Sequence, residues 1–389
     1  MTTPEGPEPP KITEEYFLDT PTGVESEAGT DDEIPETTGP RNPEQIRVNT
    51  RQFSLRNILD MIDDESMELA PDFQRNRVWK PVQKSRLIES VLLQIPLPAF
   101  YFAEDTHGYM RVVDGLQRLS TIHDFVRGGE ESGFALTGLE YLHDTVGGKR
   151  FQDLPAPWKR RINNAQIVAH VIDPTTPTDA MHDIFMRINT GGTPLNAQEI
   201  RHSMSGNRSR EILKMMTATE GFNSATRGLG DHVRMNDREM ALRFVGFWLI
   251  GAEGYANERA MDSFLQRTTY LLDTPGEVPQ EKVEELMAAF DKAMHNAWLL
   301  FGDQAFRKWP KGSAGKNPIN RALFEAWSIT LAGYDSDDLL ARRDAIVEAA
   351  RETMSQDRRF MEAITLSTGD AGRVRYRFEV VRRIAEAGK

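Results

Sequence analysis

The stretch MRVVDGLQRLSTIHDFV, residues 110–126, decides how the first half of the chain is interpreted. Its first five residues are typical of a buried strand, Gly115 permits a tight turn, and apolar residues then follow at helical spacing. The free N–H groups at a helix start attract anions, and Arg118 adds a planar cation suited to phosphate. A plain strand–turn–helix with Asp114 as a cap has the same spacing. From spacing alone, that plain turn is the commoner structure.

The composition is that of a soluble globular protein. Of the 389 residues, 39% are hydrophobic and 27% are charged. No apolar run approaches the roughly 18–20 residues that cross a bilayer, and the first residues lack the pattern of a signal peptide. The absence of cysteine excludes disulfides, thiolate metal sites and a cysteine nucleophile. We therefore expect a cytoplasmic protein with no membrane partner.

The acidic net charge of −12 is concentrated at the N-terminus. Residues 1–45 hold twelve acidic residues, two basic residues and eight of the 21 prolines. Because few large apolar residues are present to offset the ordering entropy, we predict that this segment is a disordered acidic tail. The alternative is an acidic segment that covers a basic groove and competes with nucleic acid. The rest of the chain is nearly neutral, so its charge neither requires nor excludes a nucleic-acid partner.

The ordered part of the chain shows two kinds of pattern. Strand and helix patterns are mixed over residues 46–205, where FYFAE and MRVVD read as a hairpin ahead of the DGLQR turn. Beyond that region the strand patterns nearly vanish, and apolar residues recur at three- and four-residue spacing. The sequence therefore predicts an α+β fold, with a mixed domain over 46–205 and an all-α helical domain over 206–389.

Two further motifs could complete a binding site with the DGLQR turn. FQRNRVW, residues 73–79, combines cations with an aromatic ring and could stack a base and hold a phosphate. A surface loop with Trp79 anchored in the core explains it equally well. FMRINTGGTPLN, residues 185–196, places Asn189 before two glycines, which form either a simple turn or a second loop over the same ligand.

Several known catalytic motifs are absent. KGSAGKNP, residues 311–318, comes closest to a P-loop, but Pro310 stands at the first glycine position and Asn317 at the Ser/Thr position. Neither G-x-S-x-G nor H-E-x-x-H occurs, and the eight histidines do not pair at metal-ligand spacing. The DGLQR turn therefore remains the leading candidate site.

At these motifs the sequence resembles the N-terminal domain of the GmrSD-type restriction endonucleases, a family with a ParB/sulfiredoxin-like fold. The family's Asp-Gly-Gln-Gln-Arg signature, usually continued by Leu-Thr-Thr, stands here as DGLQRLST at 114–121. An upstream Gln-Arg…Trp element is matched at 74–79, and a Phe-x-Arg-Ile-Asn…Gly-x-x-Leu element at 185–195. The three elements occur in the family's order over about residues 46–205.

The resemblance implies that the turn binds nucleotide phosphate and supports nucleoside triphosphate hydrolysis in bacterial defence against phage. Asp114, Gln117 and Arg118 become the catalytic candidates, and Asp114 is also a candidate ligand for Mg²⁺ bound with the nucleotide. The expected phosphate contacts are Gln74, Arg75, Gly115, Ser120, Arg187 and Asn189. Weaker candidates for contacts to nucleic acid are Arg77, Lys80, Lys159, Arg160 and Arg161.

Two departures from the family pattern matter. Leu116 replaces the first glutamine of the signature, which removes a hydrogen-bonding group if that position faces the ligand but only improves packing if it points into the core. Larger members carry a C-terminal HNH nuclease domain, whereas only His295 lies beyond residue 232 here. We therefore expect no DNA cleavage by this chain alone.

The expected partners are a nucleotide, DNA and a separate nuclease or defence protein, and a homo-oligomer is compatible with the sequence. An alternative is a non-catalytic DNA-binding or sensor subunit in which the same groove holds a DNA backbone. A third alternative is a ParB-like nuclease that acts at the same turn.

Overall fold

The computed structural model describes residues 12–17, 19–27, 46–69, 79–129, 133–188, 195–258 and 260–389. Its strands are β1 (Glu14–Phe17), β2 (Thr20–Glu25), β3 (Val48–Ser54), β4 (Met67–Glu68), β5 (Phe100–Glu104), β6 (Met110–Asp114) and β7 (Gln166–Ile172). The helices of the first half are α1 (Leu55–Asp63), α2 (Pro81–Leu92), α3 (Leu116–Arg127), α4 (His143–Val146), α5 (Ala156–Asn164), α6 (Thr178–Ile188) and α7 (Ala197–Met204).

The second half is helical. Its helices are α8 (Asn207–Thr217), α9 (Glu220–Thr226), α10 (Asn236–Leu249), α11 (Gly251–Tyr255), α12 (Met261–Asp273), α13 (Gln280–Phe301), α14 (Arg321–Ala332), α15 (Ser336–Ala341), α16 (Arg343–Gln356), α17 (Arg358–Ala363) and α18 (Ala371–Ala385). The predicted α+β class is confirmed, because a sheet-containing N-terminal region is followed by a helical C-terminal region. The described residues form two compact units, one within residues 46–204 and one that combines residues 12–17 and 19–27 with the described residues of 205–389.

A mixed five-stranded sheet forms the centre of the first unit, in the order β3-β7-β5-β6-β4. β5 pairs antiparallel with β6 and parallel with β7, so β6 ends beside the start of β5. Because side chains alternate along a strand, β5 sends Phe100 and Phe102 to one face of the sheet and Ala103 to the other. Helices α1, α2, α3 and α5 cover the first face, and α6 and α7 cover the second.

Buried Glu89 of α2 holds the irregular segment that follows α3. Its carboxylate accepts hydrogen bonds from the backbone N–H groups of Glu140, Tyr141 and Leu142 at 2.7–3.0 Å. Burial acts to raise the pKa of Glu89, but these three donors outweigh it, and the pKa lies below its usual value. The glycine-rich stretch is thus tied to a rigid helix.

The prediction of disorder across residues 1–45 is wrong for residues 12–17 and 19–27. β1 and β2 form an antiparallel hairpin, and Val24 is fully buried in the core of the helical unit. The hairpin is held through backbone hydrogen bonds at 2.8 Å, from Glu25 N–H to the Ile319 carbonyl and from Ile319 N–H to the Gly23 carbonyl. The rest of the predicted tail lies outside the described residues.

The acidic residues of the hairpin meet buried cations of the helical unit, which is why composition alone misleads. Lys308 Nζ lies 2.5 Å from Glu25 Oε1, although the two residues are 283 positions apart. Arg321 Nη1 lies 2.8 Å from Glu15 Oε1. Glu25 offsets part of the desolvation cost of Lys308, although burial still lowers the pKa of that lysine. Residues whose acidity predicts a solvated tail therefore lie in a hairpin that is docked on buried cations.

No helix among the residues that the structure describes is long and apolar enough to span a bilayer.

Half-buried His232 and buried Asp237 give the helical unit two opposing pH dependences. His232 Nε2–H donates to the Thr22 carbonyl at 3.0 Å, and Nδ1 accepts from Arg234 N–H at 3.1 Å, so the ring is held neutral. Burial lowers the pKa of His232 to about 4 and raises that of Asp237 to about 6. From about pH 4 to 6 the folded state therefore binds fewer protons at the histidine and more at the aspartate than the unfolded chain does. The histidine makes stability rise with pH, and the aspartate makes it fall.

We expect Asp237→Asn to remove the contribution of the aspartate to the pH dependence of stability and to leave that of the histidine. A folded pKa raised by about two units destabilises the ionised protein by about 3 kcal/mol, and asparagine removes this penalty. The free energy of unfolding of the variant relative to wild type should therefore increase by up to about 3 kcal/mol from pH 4 to pH 7, measured by urea denaturation. Asp144→Asn is the control, since the Asp144 side chain is fully exposed and Asp144 belongs to the other unit. A pH-independent difference for Asp237→Asn would contradict the assignment.

Candidate functional site

The DGLQR turn joins the end of β6 to the start of α3. Asp114 is the last residue of β6, and Gly115 precedes the first residue of α3. Asp114 Oδ2 accepts a hydrogen bond from Arg118 Nη2 at 3.0 Å. The aspartate side chain is 37% exposed and that of the arginine 13%. The two charged residues of the predicted site therefore form an ion pair one helical turn apart.

Arg118 makes three further contacts that fix it within the fold. Nη1 donates to the Pro98 carbonyl at 2.5 Å and Nη2 to the Ala99 carbonyl at 3.3 Å. The guanidinium also lies over the Phe100 ring, 4.3 Å from its centroid. Burial lowers the pKa of Arg118 and Asp114 acts against that change, so the arginine stays cationic. It positions the turn against the start of β5.

Gly115 is required at its position for two independent reasons. Its φ of 98° lies in the left-handed region, where a side chain is strained. An added Cβ would also lie 2.2 Å from Phe100 Cδ1 and 3.1 Å from Arg118 Nη2. The aromatic ring under the turn thus leaves room for a backbone and not for a side chain.

Leu116 points into the core. It is 7% exposed and packs in the cluster that fills the space between the sheet and helices α1, α2, α3 and α5. The position at which the family signature has its first glutamine therefore faces away from solvent. Leucine here adds packing and does not remove a polar group from the exposed side of the turn.

Gln117 and Ser120 place polar side chains at the turn that are free to bind a ligand. Both are half-buried, and neither side chain makes a hydrogen bond to any residue that the structure describes. They are three residues apart on α3 and so share a face of the helix. No side chain within the described ranges caps the N-terminus of α3. Backbone N–H groups of its first turn and two polar side chains are therefore available to an anion.

The other end of α3 is anchored to α1 and α2. Arg127 lies 2.7 Å from Asp60 and 2.9 Å from Asp63, and Lys84 lies 3.3 Å from Asp124. The start of α3 therefore belongs to a fixed element, which is the support a binding site needs.

The remaining predicted site residues are only partly described. Gln74, Arg75, Arg77 and Asn189 lie outside the described residues. Arg187 is exposed in the last turn of α6. That helix packs through Phe185 on the face of the sheet opposite the one that α3 covers.

The weaker nucleic-acid candidates among the described residues divide into cations whose side chains donate hydrogen bonds to the fold and cations whose side chains do not. Lys159 Nζ donates to the Gln152 carbonyl at 2.7 Å, and Arg161 Nη1 donates to the Leu92 carbonyl at 3.0 Å. Lys80 and Arg160 are exposed. Only the latter two are placed as a flexible contact to a phosphate backbone would require.

A divalent ion would have one protein carboxylate at the turn. The described residues contain no group of three or more His, Asp or Glu that could hold a metal. Mg²⁺ in phosphoryl-transfer sites is commonly held by one or two carboxylates together with the substrate phosphates, and Asp114 provides one such carboxylate. The donor set therefore fits a nucleotide-bound Mg²⁺ better than a dedicated metal centre.

Sequence reasoning missed Phe100, the residue that shapes the turn. The alternation in FYFAE predicts the strand correctly. No pattern in the sequence shows that the Phe100 ring lies beneath both Gly115 and Arg118. That contact depends on the pairing of β5 with β6 and is visible only once the strands are in register.

Comparison with known proteins bears on the segment that contains this turn. Residues 55–205 match the family described as the GmrSD restriction endonuclease, N-terminal domain. The resemblance noted from three short motifs is thereby confirmed for this segment, which spans the whole sheet except β3 and stops where the helical unit begins. A search of curated proteins finds no match to the chain.

Proposed function

We propose that the chain is a component of a bacterial restriction or anti-phage defence system, and that its 55–205 domain binds and hydrolyses a nucleoside triphosphate. One observation carries the proposal. In a segment that matches a restriction-endonuclease domain, the start of α3 has no side-chain cap among the described residues and presents Gln117 and Ser120 without partners beside the Asp114–Arg118 pair.

The residues of the turn have distinct proposed roles. The first N–H groups of α3 and the Gln117 and Ser120 side chains bind phosphate oxygens, and the missing side chain of Gly115 lets the backbone come close. Asp114, oriented by Arg118, either binds Mg²⁺ or orients the attacking water. When bound, Mg²⁺ would neutralise charge on the transferring phosphoryl group. Arg118 is thus a positioning residue, and its charge strengthens the local field without direct phosphate contact.

We expect Gln117→Ala and Ser120→Ala each to lower triphosphate hydrolysis, by about 10- to 100-fold for the glutamine, because a lost donor to developing charge typically has at least this effect. Stability should change by less than about 0.5 kcal/mol, since neither side chain has a partner within the described structure. Phosphate release with Mg²⁺, with and without DNA, measures the first effect and thermal unfolding the second. Gln152→Ala, at an exposed glutamine, is the control.

Arg118→Ala is a poorer test by itself. It also removes the hydrogen bonds to Pro98 and Ala99 and the contact with Phe100. Loss of activity could then come from an unfolded turn. No turnover of any triphosphate by the wild-type protein, with or without DNA, would reject the hydrolase proposal.

The alternative is a non-catalytic DNA-binding or sensor subunit that partners a separate nuclease. It is favoured because both Nη groups of Arg118 donate hydrogen bonds to protein acceptors. The cation that was expected to bind phosphate therefore already has partners within the protein. This alternative predicts DNA binding that weakens steeply with salt and falls further in a Lys80→Ala, Arg160→Ala double variant. Metal-dependent nicking abolished by Asp114→Ala would instead support a nuclease at the same turn.

A further inference from the structure

A polar cavity of about 200 Å³ lies within the helical unit, separate from the DGLQR turn. We call it the Arg307 pocket. Its charged lining residues are Arg227, Arg307, Lys316 and Glu14. Three cations and one carboxylate leave an excess of positive charge around a space that no described side chain fills.

Arg307 gives the pocket a cation that is held in a fixed position. The residue is 5% exposed, and each of its three nitrogens donates to a main-chain carbonyl: Nε to Asp303 at 3.1 Å, Nη1 to Asn317 at 2.6 Å and Nη2 to Thr226 at 3.0 Å. Burial lowers its pKa to about 10, so it remains charged at neutral pH. A fixed, desolvated guanidinium lines the cavity, and carbonyl dipoles satisfy its hydrogen bonds without cancelling its charge.

The other two cations of the lining differ in the contacts that they make. Arg227 pairs with Asp303 and lies over the Trp298 ring, 4.6 Å from its centroid. Lys316 is exposed and makes no ion pair or hydrogen bond to the described residues. Burial, followed by repulsion from Arg307, lowers the pKa of Lys316, and Arg227 adds to this effect while the Asp303 carboxylate opposes it. Like charges converge here, and an anion between them would relieve that repulsion.

The backbone around the pocket leaves room for such an anion. Gly228 and Gly23 both line the cavity with positive φ, at 96° and 77°, and nothing lies within 4 Å of where their Cβ atoms would be. Glu14 Oε1 is occupied as acceptor of the Gly23 N–H at 2.7 Å. The single carboxylate of the lining is thus held by the hairpin that it belongs to.

We propose that the Arg307 pocket binds a phosphate or pyrophosphate group of a small, nucleotide-sized molecule. Pockets that enclose whole drug-sized ligands are usually about 300–1,000 Å³, so a cavity of this volume admits the phosphates and leaves an attached nucleoside in solvent. Lys316, with three rotatable donors on a flexible stem, closes onto the anion from the solvent side. The proposal rests on residues of the helical unit and hairpin only, so it stands or falls independently of hydrolysis at α3.

The test measures binding of inorganic pyrophosphate and of ATP by calorimetry. The full chain carries Gln117→Ala and Ser120→Ala, so that the α3 turn contributes little. In that background Lys316→Ala should weaken pyrophosphate binding about 10-fold and Lys316→Glu should abolish it. Lys311→Ala is the matched control from the same loop, because Lys311 pairs with Glu348 and Glu352 and does not line the pocket.

Each outcome bears on the proposal. Unchanged binding in Lys316→Glu, or none to the background protein at millimolar pyrophosphate, overturns it. Binding of a 5′-phosphorylated oligonucleotide but of neither pyrophosphate nor ATP would assign the pocket to nucleic acid and overturn the small-molecule proposal. Circular dichroism of each variant checks the fold, and we expect no unfolding because Lys316 is exposed.

Discussion

Glu325→Ala is expected to lower the free energy of unfolding by about 3–5 kcal/mol, the usual effect of removing one partner from a buried ion pair. Glu325 is fully buried on α14, and its two carboxylate oxygens bind different arginines. Oε1 accepts from Arg243 Nη1 at 2.5 Å, and Oε2 accepts from Arg377 Nη2. The carboxylate therefore joins α10, α14 and α18 in the centre of the helical unit.

The effect is large because the two guanidinium groups cannot reach water when the carboxylate is gone. Arg243 is 4% exposed and Arg377 is fully buried. Arg243 would keep Glu239 at 2.7 Å, but Arg377 would keep only uncharged acceptors such as the Thr368 carbonyl at 2.6 Å. An uncompensated charge at that depth carries most of the desolvation cost of the original pair.

Urea denaturation monitored by circular dichroism measures this loss, and Glu253→Ala provides the matched control. Glu253 pairs with Arg375, two residues from Arg377 on the same helix, at 3.3 Å. Its side chain is 80% exposed, so its removal should change stability by less than about 1 kcal/mol. Similar losses in the two variants would contradict the burial argument, because charge pairing alone would then account for both.

The fold class was predictable because local patterns carry it. The alternation in FYFAE and MRVVD and the glycine between Asp114 and Leu116 predict β5, β6 and the turn into α3, and the structure has each of them. The hairpin of residues 14–25 was not predictable in the same way. It docks on Lys308, Ile319 and Arg321, which lie about 300 residues away in the sequence, whereas its composition predicts a segment in solvent.

The candidate site was predictable in its residue types but not in its geometry. Asp114 and Arg118 are four residues apart, so a helix start brings them together whatever the rest of the fold does. The acceptors at Pro98 and Ala99 come from the strand pairing, and they engage the guanidinium that the sequence predicts as a phosphate ligand. The orientation of Leu116 likewise depended on which face of α3 meets the sheet.

No sequence motif predicts the Arg307 pocket. KGSAGKNP fails as a P-loop at two positions, and the sequence gives no reason to return to it. Its Lys316 nevertheless lines one cavity with Arg307, from the same segment between α13 and α14, and with Arg227 at the end of α9. Arg227 joins the other two cations only through tertiary packing, as the Thr226–Arg307 hydrogen bond with its separation of 81 positions illustrates.

Gly115→Ala should lower the free energy of unfolding by about 2–5 kcal/mol and reduce any activity of the turn with it. The left-handed conformation costs a non-glycine residue about 1–2 kcal/mol, and forcing an atom into a packed site costs about 1–3 kcal/mol more. The second part arises because the new Cβ would lie 2.2 Å from Phe100 Cδ1 and 2.8 Å from Cε1. Moving that ring disturbs the surface on which Arg118 lies.

Gly108→Ala separates the two contributions, because Gly108 has a similar φ of 86° but nothing within 4 Å of its Cβ position. It lies in the β5–β6 hairpin, so the same sheet reports on both variants, and only the conformational cost of about 1–2 kcal/mol should appear there. Phe100→Leu combined with Gly115→Ala should recover part of the loss in a double-mutant cycle, since the shorter side chain vacates the contested space. Equal losses at Gly108 and Gly115, with no coupling to Phe100, would mean that the aromatic ring yields freely. The close backbone approach that the proposed phosphate binding at α3 requires would then need glycine only for its backbone conformation and not for space.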